Sequence, residues 1–204
     1  MNEVTFTEFK WNPSDNEKFQ SDKPSNSFQK LKKFEPPEES RVIYTDGGSR
    51  ILTLDDGKKF YLGAWAFYDQ ETGDLIGRAE EKATNNQMEL LANIRALEHL
   101  DEIGYPKDKW VTIRLDSDYV RLGMLFWIKK WILQNWVRIT KEGSSEPVKN
   151  EDLWKRLNEL TQGRKIYWEH VSGHSGEEGN EKVDIECGSK MDDYMEEHNL
   201  FKKK

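Results

Sequence analysis

Residues 41–49 read Arg-Val-Ile-Tyr-Thr-Asp-Gly-Gly-Ser. Val42, Ile43 and Tyr44 are β-branched or aromatic and make a short buried strand. That strand closes on a carboxylate, Asp46, followed by two glycines. A carboxylate at the end of a buried strand is costly unless positive charge meets it. Gly47 and Gly48 let the backbone turn away and leave room for a large ligand. An ordinary hairpin turn carries the same Asp-Gly signature. The stretch therefore gains meaning only from acids at the ends of other elements.

After this strand the pattern alternates. Residues 63–68 and 75–79 are two further strands joined by a Glu71-Thr72-Gly73-Asp74 turn, which gives a three-strand meander. Met88, Leu90, Leu91, Ile94, Leu97 and Leu100 mark a helix over 86–100. Val111, Ile113 and Leu115 alternate in a strand over 110–115, and Asp116-Ser117-Asp118 can cap the helix that follows. Helices over 121–137 and 151–160, a strand over 165–171 and a helix over 180–197 complete the chain. Strands alternating with helices after a meander predict an α/β fold with a mixed sheet.

The 204 residues suffice for one domain with a core plus an extension. Residues 1–40 are rich in Asn, Ser, Lys, Glu and Pro and read as a flexible N-terminal extension. Phe6, Phe9 and Trp11 give it the means to dock on a protein partner. Residues 41–198 form the domain, and 199–204 a basic tail. No apolar run approaches the ~18 residues a membrane span needs, and the N-terminus lacks the basic-then-apolar order of a signal peptide. One cysteine, Cys187, excludes an internal disulfide and suits a reducing cytoplasm; in a helix it reads as a small buried thiol rather than a reactive one. The net charge of −7 argues against a nonspecific nucleic-acid coat. Locally, residues 121–149 carry six bases against two acids.

Asp46, Asp116 and the turn over 170–174 all follow strands, and right-handed crossovers bring such ends to one rim of the sheet. Glu89 lies near the start of the first long helix and Asp184 early in the last. Each has a plainer reading: Glu89 as a carboxylate favoured by the helix dipole, Asp116 and Ser117 as a helix cap. If all four acids converge, their repulsion calls for cations. Oxygen ligands favour Mg²⁺ or Mn²⁺ over zinc. Two such ions ~4 Å apart suit phosphoryl transfer.

Four segments resemble, in order, the motifs of type 1 ribonuclease H. They are Thr45-Asp46-Gly47-Gly48-Ser49, Thr84-Asn85-Asn86-Gln87-Met88-Glu89-Leu90, Asp116-Ser117-Asp118-Tyr119-Val120, and Gly173-His174-Ser175-Gly176 through Asn180-Glu181-Lys182-Val183-Asp184. The stretch from Trp127 through Trp136 and on to Trp154 also resembles the handle of bacterial-type members. The resemblance implies a ribonuclease H-like fold, a five-stranded mixed sheet flanked by helices. It implies that Asp46, Glu89, Asp116 and Asp184 ligate two Mg²⁺ ions, with Mn²⁺ as a substitute and Asp46 as the bridge. His174 matches a histidine that assists proton transfer or product departure, and its pKa class suits the task; a solvated loop histidine is the plainer reading.

The substrate implied is an RNA–DNA hybrid, whose 2′-hydroxyls are read in the wide minor groove. Asn85, Asn86 and Gln87 would lie in that groove, with amides that donate and accept. Thr84 would hold a phosphate of the DNA strand. Asn180, Gly47 and Gly48 belong to the same substrate surface. Trp127, Trp131 and Trp136, interleaved with Lys129, Lys130 and Arg138, would form a ridge against the DNA strand. Their spacing also fits core packing, and the lysines also fit a solvated face.

The chain departs from the family pattern at residues 50–62, a charged insert where bacterial members carry a glycine- and proline-rich loop. Gln87 stands where an arginine is common. The expected activity is endonucleolytic hydrolysis of the RNA strand of hybrids by a two-metal-ion mechanism, leaving 5′-phosphate and 3′-hydroxyl ends, in a cytoplasmic monomer without membrane contact. The rivals are a catalytically silent hybrid-binding protein and a same-fold nuclease acting on other duplexes.

Overall fold

The structure is a computed structural model that describes residues 39–54, 56–140, 143–173 and 176–200. His174, most of the N-terminal extension (1–38) and the end of the basic tail (201–204) lie outside the described residues. The chain divides into two compact units, 36–138 with 145–204, and 1–35 with 139–144. In the second, the described residues form a turn in which Thr140 N–H donates to the Ser144 carbonyl at 2.8 Å.

The first unit holds a five-stranded sheet in the order β3-β2-β1-β4-β7. Strands β1 (Arg41–Thr53), β2 (Lys59–Asp69) and β3 (Leu75–Glu81) are the antiparallel meander. Strands β4 (Trp110–Leu115) and β7 (Lys165–His170) add in parallel. Two short strands, β5 (Val137–Ile139) and β6 (Ser145–Pro147), pair separately. The mixed five-stranded sheet is the one expected.

The first strand differs from its expectation. It does not stop at Asp46 but runs on to Thr53, paired with β2 in continuous register from Ile43↔Asp69 to Thr53↔Lys59. The segment 50–62 is accordingly the outer part of a hairpin rather than a loop. Arg50, in that hairpin, is ion-paired with Asp192. Nor do the glycines serve a turn. A Cβ on Gly47 would lie 2.7 Å from Glu89 Cα and nearer still to the Met88 and Glu89 backbones. Gly47 is there because a helix passes against it.

That helix, α1 (Asn85–Glu102), starts in a capping box. Thr84 Oγ1 accepts from Gln87 N–H, and Gln87 Oε1 accepts from Thr84 N–H at 2.9 Å. Leu90, Ala92, Ile94, Leu97 and Leu100 are buried in one core with Ile43, Phe67, Val111, Ile113 and, from α4 (Glu151–Thr161), Trp154 and Leu157. The opposite face of the sheet offers Tyr44, Leu62, Ala64 and Ala66 to Val183, Cys187 and Met191 of α5 (Glu178–Glu197). Strand alternation thus sends Tyr44 and Asp46 toward the α5 side and Ile43, Thr45 and Gly47 toward α1.

The tryptophan-rich segment expected as one helix is broken in three: α2 (Asp118–Leu122), a π-helical turn (Gly123–Trp127) and α3 (Ile128–Leu133). The π turn places Gly123 where a Cβ would lie 2.7 Å from Trp154 Cζ3. The wide turn makes room for that indole, which sequence periodicity does not encode.

Candidate active site

Pairing between β1 and β4 ends at Tyr44↔Arg114, and Asp46 and Asp116 each follow two residues later. Glu89 reaches the same place from the second turn of α1, held there by Gly47 and by a polar tie. Asn93 Nδ2 donates to the Glu89 carbonyl at 2.9 Å, and Thr45 Oγ1 donates to Asn93 Oδ1 at 3.2 Å. Asp46, Glu89 and Asp116 each present a carboxylate oxygen, and these oxygens lie within 4.8 Å of one another. Among the described residues this is the one grouping of three or more His, Cys, Asp or Glu that could hold a metal ion.

The site is dry enough for its charges to matter. Asp46 is 9% exposed and Glu89 5%. Burial pushes the Asp46 carboxyl up to about 6, aided by the charges of Asp116 and Asp184. Burial pushes Glu89 up to about 9, aided by Asp46 and Asp116. Glu89 Oε2 is buried without a hydrogen-bond partner, which is costly in a protein interior. An all-carboxylate donor set with an orphaned buried oxygen fits a hard divalent cation.

Asp184 stands apart from the trio. It is exposed on α5, within electrostatic reach of Asp46. Cys187, one turn on, is buried as expected; its thiol donates to the Asp46 carbonyl at 3.5 Å, and burial holds its pKa far above the ordinary thiol range. Asn180 is also buried, at 5% exposure, with its Oδ1 unpaired. Gly48 is half-buried beside Met191.

Thr84, Asn85, Asn86 and Gln87 line a cavity of about 500 Å³ together with Lys149 and Asn150. The last two lie in the handle-like stretch, and the sequence alone does not set them beside the groove residues. Asn150 sits in the left-handed region at φ 58°, where Asn is favoured, immediately before α4. Lys149-Asn150 follows the β6 strand, so only tertiary packing brings it opposite Thr84.

Trp127, Trp131 and Trp136 are half-buried, and Lys129 and Lys130 are exposed. All three indoles are partly spent on packing, Trp131 and Trp136 against the core and Trp127 against Trp131. Ring centroids lie 5.8 Å apart for Trp127–Trp131 and 5.2 Å apart for Trp131–Trp154, with Tyr119 5.2 Å from Trp154. Trp154, not one of the three expected ridge residues, is the one wholly buried. Trp136 ends the segment at φ 62° with the Lys155 ammonium 5.4 Å from its ring.

The RNase H family model matches residues 38–191. The chain belongs to the RNase H family. Its relatives include the ribonuclease H of Ruthia magnifica, 38% identical over 74% of this chain and 94% of that protein. The ribonuclease H of Nitrosospira multiformis is 44% identical over 70% of this chain and 83% of that one. Among solved structures, the chain shares its fold with LC9-RNase H1, described as a type 1 RNase H with the type 2 active-site motif. The TM-score is 0.55 at 22% identity, over 78% of this chain and 75% of that one. It also shares its fold with a foamy viral protease–reverse transcriptase in complex with dsDNA, at TM-score 0.59 and 19% identity over 78% and 97% of the two chains. Within this RNase H the acidic trio sits at the rim where β1 and β4 stop pairing, the usual place for a site in an α/β sheet.

Proposed function

We infer that this RNase H is an endonuclease that hydrolyses the RNA strand of RNA–DNA hybrids at the Asp46–Glu89–Asp116 cluster. The observation that carries the reading is the convergence of those three carboxylates within 4.8 Å on a family fold. RNase H chemistry depends on divalent metal, and the acidic cluster supplies a donor set for it. We assign Asp46, Glu89, Asp116 and Asp184 as the ligands of two Mg²⁺ ions, with Mn²⁺ able to substitute. When bound, such ions supply positive charge to the phosphoryl group and its attacking and leaving oxygens.

The protein residues do the rest. Buried Asp46 and Glu89, with half-buried Asp116, set the floor of the site beneath the scissile phosphate. Asn85, Asn86 and Gln87 face the minor groove, where amides can read 2′-hydroxyls, and Lys149 adds a charge for a backbone phosphate. Thr84 offers its hydroxyl there only by relaxing the capping box. Lys129 and Lys130, beside Trp127, Trp131 and Trp136, meet the DNA strand, and buried Asn180 supports the substrate surface from behind. His174 assists proton transfer or product departure. Cleavage leaves 5′-phosphate and 3′-hydroxyl ends. The catalytic domain spans 41–198, in a monomer of the cytoplasm; among the described residues no helix is long and apolar enough to cross a membrane. The extension over residues 1–40 is assigned to a protein partner.

Cleavage of labelled RNA–DNA hybrid with Mg²⁺, beside matched RNA–RNA and DNA–DNA duplexes and an EDTA control, tests the reading. Metal-dependent cutting confined to the RNA strand of the hybrid, lost in Asp46→Asn with hybrid binding retained, is the expected result. Binding without cutting by the wild type would leave a hybrid-binding protein.

A further inference from the structure

One register step below the carboxylates, on the same face of the sheet, lies a second polar row. Tyr44, Arg114 and Glu169 are cross-strand neighbours on β1, β4 and β7. Arg114 Nη1 donates to Tyr44 Oη at 2.6 Å, and Arg114 Nε donates to Glu169 Oε2 at 2.6 Å. Glu177, from the segment leading into α5, closes the row. Its Oε1 accepts from the Tyr44 hydroxyl at 2.5 Å and from Arg114 Nη1 at 3.1 Å.

Two features give this row a purpose beyond packing. Glu177 is the N-cap residue of α5, yet its side chain makes no capping hydrogen bond. A cap acid ordinarily turns back on its own helix amides; here the carboxylate is committed to the sheet. Gly179, in the first turn, lies against the Tyr44 ring, where a Cβ would stand 2.5 Å from Cδ2. Alongside is a cavity of about 230 Å³ lined by Tyr44, Arg114, Glu177 and Lys182. Hydrogen bonds from Tyr44 and Arg114, together with the seat of Gly179 on the Tyr44 ring, therefore hold the start of α5 to the sheet.

Asp184 follows Glu177 by seven residues, two helical turns or about 10 Å. We propose that Tyr44, Arg114 and Glu177 are positioning residues that fix the start of α5, and with it the distance of Asp184 from Asp46 and Asp116, thereby setting the divalent-cation affinity of the site. This rests on the metal-ligand reading given under Proposed function. It gives a solvent-exposed acid on a separate helix a fixed place beside a site whose other three members come from β1, α1 and the end of β4.

The test uses the full chain as wild type, Tyr44→Phe, Glu177→Ala and Glu177→Gln. Mg²⁺ affinity is measured by calorimetry without substrate, then hybrid cleavage over a Mg²⁺ series. Tyr44→Phe and Glu177→Ala are expected to weaken Mg²⁺ binding by about 10-fold, as loss of groups supporting metal ligands does. The half-saturating Mg²⁺ for cleavage should rise by the same factor, with the hybrid KM unchanged. Glu177→Gln keeps an acceptor for Tyr44 but not the charge facing Arg114, and should fall between. Leu160→Ala, a core change in α4, should lower Tm while leaving the Mg²⁺ dependence alone. Wild-type Mg²⁺ affinity in Tyr44→Phe and Glu177→Ala, whatever their Tm, would overturn the proposal. A wild type that binds no Mg²⁺ would overturn it together with the metal-ligand reading.

Discussion

Gly47 and Glu89 touch through their backbones: a Cβ at position 47 would lie 2.7 Å from Glu89 Cα, with the Glu89 nitrogen closer still. This contact lets a helix on one face of the sheet deliver a carboxylate to another carboxylate on β1.

Gly47→Ala should therefore do more than crowd the core. The added methyl must push α1 off β1, costing about 3 kcal/mol as overpacking does, and must carry Glu89 away from Asp46. Thermal unfolding should show the lost stability. Cleavage assays should show a kcat that stays low at saturating hybrid.

Glu89→Gln should stabilise the cation-free protein at alkaline pH. The Glu89 carboxyl is pushed up to about 9 from an ordinary 4.5, so between those values the folded state holds a proton that the unfolded state releases. Stability then falls as pH rises through that window. Asp46, raised from 3.8 to about 6, adds the same trend at lower pH. Glutamine removes the Glu89 contribution. At pH 8 in EDTA the variant's Tm should exceed wild type by about 2–4 °C, the equivalent of about 1 kcal/mol for a chain of this size. The gap should close near pH 4.5. Saturating Mg²⁺ should reverse the order, because only the wild type keeps the full ligand set.

Gly123→Ala tests the aromatic cluster. A Cβ there would lie 2.7 Å from Trp154 Cζ3, and Trp131, which carries Trp127, leans on that indole. The variant should lose about 1–3 kcal/mol of stability. If the ridge meets the DNA strand, the hybrid KM should rise about 5-fold, roughly 1 kcal/mol, with kcat unchanged.

The exposed lysines should show themselves in salt dependence. Replacing Lys129 and Lys130 by alanine should lower the slope of log affinity against log salt by about 2, one per lost phosphate contact. Lys149→Ala should lower it by about 1 more if Lys149 meets phosphate across the cavity it shares with Thr84–Gln87. Hybrid binding titrated in the absence of divalent cation measures this directly.

The sequence by itself determined the five strands of the mixed sheet, the long helices and the acids to watch, because those are local properties; it gave no sign of β5 and β6. Hydrophobic period marks strands and helices, and Thr84 and Gln87 announce a helix start through their spacing. The motifs named Asp46, Glu89, Asp116 and Asp184 as a set, of which the first three converge within 4.8 Å. What it misjudged was the purpose of the glycines. Gly47 and Gly48 read as a turn, yet β1 runs through them to Thr53, since Gly47 answers to the backbone of a helix forty residues on. Gly123 likewise answers to Trp154, and the π turn it begins leaves no mark in the apolar pattern. Only the tertiary structure decided which side chains lie beneath the acids. Tyr44 and Arg114 each lie two residues before a carboxylate, so strand alternation places them on the same face, but nothing local calls Glu177 to them. Those contacts join residues 63 and 133 positions apart; they are fixed by register between strands and by the seat of Gly179 on Tyr44, which exist once the chain has folded.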